Sequence, residues 1–281
     1  MLATLFEPFG YSFFNNGLAV ATLAGALCGL LGVFVVLRGM SYIGHGLSHA
    51  VFGGAAASAV VGINYFVGAG IWAVVSGVLI GRIARRRIIG ADAAIGVVTT
   101  ASFAIGLALL NRYGQAKKSI EAVLFGSVLG VERADIWAVS IVAVLVAIFI
   151  VAFYRRLLFA TFDPDVAQVT GVKVAWVEAM VMMMLSLTIL VTMRVIGTLL
   201  ISALLVIPAA TSRMLTNSFA RMLWISPVLG AVAGFIGMNA AYHLDTSASA
   251  TVILVAAIGF VVVYAATGIS GRVRVAHVHH I

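Results

Sequence analysis

Charge is what this chain has least of: among 281 residues 17 are basic and nine acidic, a charged fraction of 9% against 63% hydrophobic. Soluble domains carry about 25% charged residues, so a water-soluble fold is excluded and a polytopic membrane protein is implied. The lone cysteine, Cys28, lies inside an apolar stretch, which rules out an intramolecular disulfide and leaves the redox compartment unread. Catalytic signatures are missing as well. There is no G-x-x-x-x-G-K-[ST] loop to cradle the phosphates of ATP, no H-E-x-x-H, no G-x-S-x-G and no cysteine cluster. If ATP drives this protein, a separate subunit must hydrolyse it. No internal repeat or low-complexity linker divides residues 1–281, which read as one domain.

What fills the chain is apolar sequence in pieces of about 20 residues, the length that crosses about 30 Å of hydrocarbon at 1.5 Å per residue. An all-α transmembrane bundle of about eight or nine spans follows, with spans near 14–37, 45–62, 63–81, 92–111, 134–154, 174–193, 196–212, 223–242 and 248–267. The first is longer than a signal-peptide core and lacks a basic leader or cleavage site, so it is expected to be retained. Ahead of it, Leu2, Leu5, Phe6 and Phe9 suit a surface-lying turn. Small residues at Gly25/Gly29, Gly53/Ala57 and Gly230/Gly234 recur at the spacing that lets helix backbones approach closely in lipid.

The net charge of +8 reflects topology, not nucleic-acid binding. Arg82 with Arg85, Arg86 and Arg87, then Arg155 and Arg156, Arg213 with Arg221, and Arg272 with Arg274 all fall in short connections that can share the cytoplasmic side. That puts the N-terminus outside and the C-terminus inside, with Lys117 and Lys118 as the exception. Re-entry of Glu121 to Val131 would lower the span count.

His45 and His49 stand four residues apart in a segment expected to be helical, so both rings lie on one face and can aim a nitrogen at one ion. Polar pairs in hydrocarbon are expensive and tend to mark transport paths. Gly44, Gly46, Gly53 and Gly54 surround them and leave room for an ion or a neighbouring backbone. Hydrogen bonding to adjacent helices, or an aqueous cleft, would also account for the pair. Two donors do not complete a tetrahedral site; a second copy of the chain, or Asp92 or Asp245, could supply more. Neutral imidazole is the form that binds metal, so capture is expected to weaken as pH falls through about 6.5.

Phe162 to Gly171 spells a compact helix, with Asp163 as N-cap, Pro164 at the first position, Asp165 in the first turn and Gly171 as the stop. The polar stretch Thr211 to Met222 follows an apolar run in which Pro208 is expected to kink or end a helix. As a basic, semi-apolar helix it could dock in a soluble partner's groove, or serve only to fix topology. Arg194 reads as an interfacial anchor, or alternatively as a partner for Glu178. His243 and Asp245 suit an outer gate or ordinary helix-end solvation. The tail histidines His277, His279 and His280 could bind a transition metal weakly.

The stretches Gly32 to His49, Asp92 to Val98, Leu124 to Leu129, Phe162 to Asp165 and Val195 to Thr211 together resemble the zinc/manganese (ABC-3) permease family, in family order along nearly the whole chain. The resemblance implies the membrane subunit of a bacterial inner-membrane metal importer with a type II importer-like fold. It further implies a homodimer in lipid, a pair of cytoplasmic ATPase subunits that bind the ATP, and an extracytoplasmic metal-binding protein. Contact with the ATPase would then fall to Arg213, Met214, Leu215, Asn217, Phe219 and Arg221, or to Asp163 and Asp165 in the capped helix. Where the family usually reads Gly-Asp-Ala-x-x-His, this chain reads Gly44 to His49, so His45 takes the aspartate ligand's position and His49 the histidine's. Two imidazoles favour zinc over manganese as the transported ion. A permease for an iron chelate or small organic solute, an ion-coupled secondary transporter and a membrane scaffold are the alternatives.

Overall fold

The computed structural model describes residues 7–85, 88–113 and 130–278. Lys117 and Lys118, the segment from Glu121 expected to re-enter, His279 and His280 lie outside the described residues, as do the side chains of Arg194 and His277. After a short 3-10 turn at Glu7–Gly10 come nine α-helices among the described residues: α1 Ser12–Leu37, α2 Ile43–Val61, α3 Tyr65–Arg85, α4 Ala91–Tyr113, α5 Arg133–Phe162, α6 Pro164–Val169, α7 Val174–Leu215, α8 Phe219–Leu244 and α9 Ala248–Val278. Hydrocarbon offers no water to satisfy backbone groups, so helices that bond internally are the natural solution.

Seven of them are long and apolar enough to cross a bilayer, a correction to the eight or nine expected. The difference lies in two places. Helix α2 carries two histidines and several glycines that lower its hydropathy, and it is enclosed by α3, α4 and α7. The second half of α7, Leu200–Leu215, is a shorter apolar helix. The two halves of α7 meet at Gly197, whose φ of 76° and ψ of 162° fall in a region only glycine occupies readily. Chain direction reverses there: Glu178 meets Arg38, Ile196 accepts a hydrogen bond from Ser249 at the opposite end, and Leu205 returns to lie against Gly32 and Gly44. Pro208, expected to kink or end its helix, does not end it: α7 continues past it to Leu215. Helix α5 also runs past its expected end at 154, because Leu157 and Ala160 stay buried and only Asp163-Pro164 stops it.

Helix α1 is the centre of the bundle, with 67% of its most apolar window buried, whereas α9 at the periphery has 17%. It lies antiparallel to α8 through the glycines singled out above. A Cβ on Gly25 would overlap the Gly230 carbonyl and one on Gly230 the Gly25 carbonyl, while Ser226 Oγ donates to the Gly29 carbonyl at 2.6 Å. Such backbone contact supplies dispersion and polar attraction where lipid supplies no hydrophobic drive.

Helix α6 is built as its sequence predicts. Asp163 Oδ1 accepts the Val166 N–H at 2.9 Å, Pro164 opens the helix and Gly171 takes φ +83° just beyond it. Asp163→Ala is expected to cost about 1 kcal/mol of local stability. That should appear as roughly fivefold faster amide exchange at Val166, with no change in the amides of α8.

Candidate metal centre

Helix α1 ends at Leu37 because Gly39 takes φ +66° and the Met40 N–H caps the Val35 carbonyl at 3.0 Å. The chain then enters α2 at Ile43, which places His45 and His49 in its first two turns. The pair therefore sits toward the end of the bundle that carries Arg38 and Arg85. Gly44 and Gly46 wedge this turn between two neighbours: a Cβ would stand 2.6 Å from Leu205 Cδ1 at the first and 2.6 Å from Ile95 Cγ2 at the second. Glycine on both sides of His45 lets α2 lie this close to α7 and α4 without displacing the Leu205 and Ile95 side chains.

The two imidazoles meet. Their Nε2 atoms lie 3.1 Å apart, with ring planes at 86° and centroids 4.5 Å apart. In the neutral state one ring's N–H can donate to the other. Two nitrogens bound at about 2.0–2.1 Å to one tetrahedral ion stand roughly 3.3 Å apart, so a shift of a few tenths of an ångström would admit a metal between them. His49 is half-buried with its ring edge-on to Phe103 at 5.1 Å, while His45 is exposed.

Both rings line a cavity of about 470 Å³ together with Tyr42, Asp92, Thr99 and Phe103. Among the described residues no group of three or more His, Cys, Asp or Glu side chains is placed to hold an ion. Asp92 shares the cavity without joining the pair. The arrangement offers two imidazole nitrogen donors on one cavity wall, an incomplete set that suits brief capture and release.

The other residues named from the sequence lie elsewhere. His243 and Asp245 are exposed at the opposite end of the bundle, near Tyr11 and Phe14, which pack on Tyr242. Asp245 caps α8 in the left-handed conformation at φ 50°. No separate helix forms over Thr211 to Met222: α7 runs to Leu215, Thr216 to Ser218 turn, and α8 begins at Phe219. Arg213 Nη1 donates to Asn217 Oδ1 at 2.7 Å across that turn. Arg213, Leu215, Asn217 and Arg221 are exposed and Met214 is half-buried. Phe219 is buried against Phe34, Tyr154 and Phe162. The Phe162 contact places α6 at the same end of the bundle as the Arg213 turn.

Sequence reasoning missed the partners of Glu178. Its carboxylate faces Arg38 at 4.0 Å and Arg85 at 3.0 Å. Arg194 stands 16 positions further along α7, roughly 24 Å at 1.5 Å per residue, too far to pair with it. A carboxylate isolated in apolar sequence was the available signal, since nothing acidic intervenes between Asp165 and Asp245 but Glu178.

Comparison with known proteins follows the same lines. Residues 10–267 match the ABC 3 transport family. The chain is 34% identical over 254 residues to the manganese transport system membrane protein MntC of Halalkalibacterium halodurans, covering 90% of this chain and 87% of that one. It is 37% identical over 254 residues to the manganese import system permease protein ScaB of Streptococcus parasanguinis, covering 90% of each. Its fold is similar to PsaBC from Streptococcus pneumoniae, solved in complex with Fab, with a TM-score of 0.82 and 32% identity over 94% of this chain and 95% of that one.

Proposed function

Because this chain belongs to the ABC 3 transport family, we propose that it carries a divalent transition metal inward through the bilayer, handing the ion across His45 and His49. It is a transporter subunit and not an enzyme, a multi-pass protein of the bacterial inner membrane. The observation that carries the metal reading is the approach of the two Nε2 atoms to 3.1 Å on the wall of an open cavity. The names of the relatives add that such permeases move manganese.

At this site zinc is the preferred ion. Both donors are imidazole, which suits zinc better than manganese, and the general affinity order also places zinc higher. The working importer comprises two copies of this permease, a pair of ATPase subunits that bind ATP, and an extracytoplasmic protein that delivers the metal. The ATPase meets the end of the bundle where α6, with Asp163 and Asp165, lies beside the turn of Arg213, Asn217 and Arg221.

Competition decides the ion. Purified permease equilibrated with equimolar zinc and manganese is expected to retain at least tenfold more zinc, by elemental analysis of the protein fraction. Excess manganese in that fraction would overturn the zinc preference and leave manganese, as in the named relatives, as the cargo.

A further inference from the structure

A second cavity, of about 620 Å³, lies beside the first at the arginine-bearing end. The two are neighbours along the chain twice over. Arg38, Met40 and Ala91 line the larger one, while Tyr42 and Asp92 line the one that holds the histidines. Thr161, Asp165 and Gln168 bring the edge of α5 and the capped helix α6 to the larger cavity, and Glu178 brings the start of α7.

Glu178 is where these elements are tied, and the tie is incomplete. The Arg38 side chain is 9% exposed, yet its Nη1 stands 4.0 Å from Glu178 Oε1, beyond hydrogen-bond reach. Its Nε and Nη2 are buried without a hydrogen-bond partner. Arg85 Nε is 3.0 Å from Glu178 Oε2, but that oxygen also has no hydrogen bond of acceptable angle. A buried guanidinium left half-satisfied is costly. An approach of about 1 Å would convert the contact into a charge-assisted hydrogen bond of ordinary length, and the adjoining cavity leaves space for that movement.

The connections on either side are short. Helix α6 joins α7 through Thr170 to Lys173, and Glu178 is in the first two turns of α7. On the other side Arg38 caps α1 and opens the turn that leads to Ile43, two residues before His45. We propose that Glu178 is a positioning residue for transport: through its hold on Arg38 it transmits displacement of α6 and the start of α7 to the turn that sets α2, and so to the histidine pair. This rests on the reading of His45 and His49 as the metal donors.

The test pairs two measurements on the full-length permease: zinc and manganese retained by the purified protein, and uptake of the same metals by cells carrying the importer, normalised to permease in the membrane. Glu178→Gln keeps the shape and removes the charge. Uptake is expected to fall at least tenfold while metal retention changes less than twofold. Glu178→Asp, which keeps the charge, is expected to recover at least a third of native uptake. Arg38→Gln added to Glu178→Gln should lower uptake no further, since Glu178→Gln already breaks the contact through which Arg38 acts, along with the one to Arg85.

Native uptake in Glu178→Gln, or losses that multiply in the double variant, would overturn the proposal. So would an equal loss of retention and uptake, which would mean that Glu178 only builds the fold. If Glu178→Gln fails to accumulate, Arg38→Gln carries the same test: tenfold lower uptake at native retention supports the coupling and unchanged uptake overturns it. Failure of the underlying metal reading looks different, because His45→Ala/His49→Ala would then retain and transport metal as the native protein does.

Discussion

Permease carrying His45→Ala and His49→Ala together is expected to lose bound metal, with affinity down at least about 100-fold, because even the outer partners of metal ligands are worth 10–100-fold. Uptake should fall with it. Both donors project from the first two turns of α2 onto one cavity wall, and no third His, Cys, Asp or Glu side chain among the described residues is grouped with them to take over. Stability should change little at His45, which is exposed, and modestly at His49, whose ring packs edge-on against Phe103. Elemental analysis of the purified variants, read beside their thermal unfolding midpoints, separates loss of ligation from loss of fold. Native metal content in the double variant would return both histidines to packing roles.

Gly25→Val is expected to force α1 away from α8. A Cβ there meets the Gly230 carbonyl of α8, with the carbonyl carbon 2.7 Å away. Backbone on both sides means that no rotamer change relieves the overlap, so the helices must separate. Overpacking of this kind costs typically about 1–3 kcal/mol and sometimes more, and here the separation also strains the 2.6 Å hydrogen bond from Ser226 to Gly29. Gly230→Val should behave alike, since it meets the Gly25 carbonyl in return. Gly259→Val in α9 is the control, because nothing lies within 4 Å of a Cβ there. Unfolding midpoints in detergent should drop by several degrees for the first two variants and hold for the third. Equal midpoints across all three would refute the close α1–α8 contact.

Local features were legible because their causes are local. Apolar runs of span length, the Asp163-Pro164 start and Gly171 stop of α6, and the i, i+4 placement of His45 and His49 each depend on residues within one or two turns. The small-residue spacing of Gly25/Gly29 and Gly230/Gly234 announced close packing, and all four lie in the α1–α8 contact, Gly25 facing Gly230, Gly29 facing Ser226 and Gly234 facing Ala21. Boundaries set by packing were less legible. Arg155 and Arg156 looked like a loop, but burial of Leu157 and Ala160 carries α5 on to Phe162. Pro208 looked like a kink or an end, but α7 runs past it to Leu215, while the reversal at Gly197, where a positive φ is accessible, falls close to the expected boundary between the spans 174–193 and 196–212.

By itself, then, the sequence determined a helical membrane protein with most of its arginines in short connections, a capped helix between two spans, and two imidazoles on one helical face. Tertiary structure alone decided that His45 and His49 line the same cavity as Asp92 and not Asp245, and that Phe219 turns inward. It also decided that Glu178 answers to Arg38 and Arg85 on two other helices. The physical reason is range. Helical periodicity fixes which residues share a face over a few ångströms, while the partners of that face come from positions 43 to 140 residues away, and only the packing of whole helices sets them.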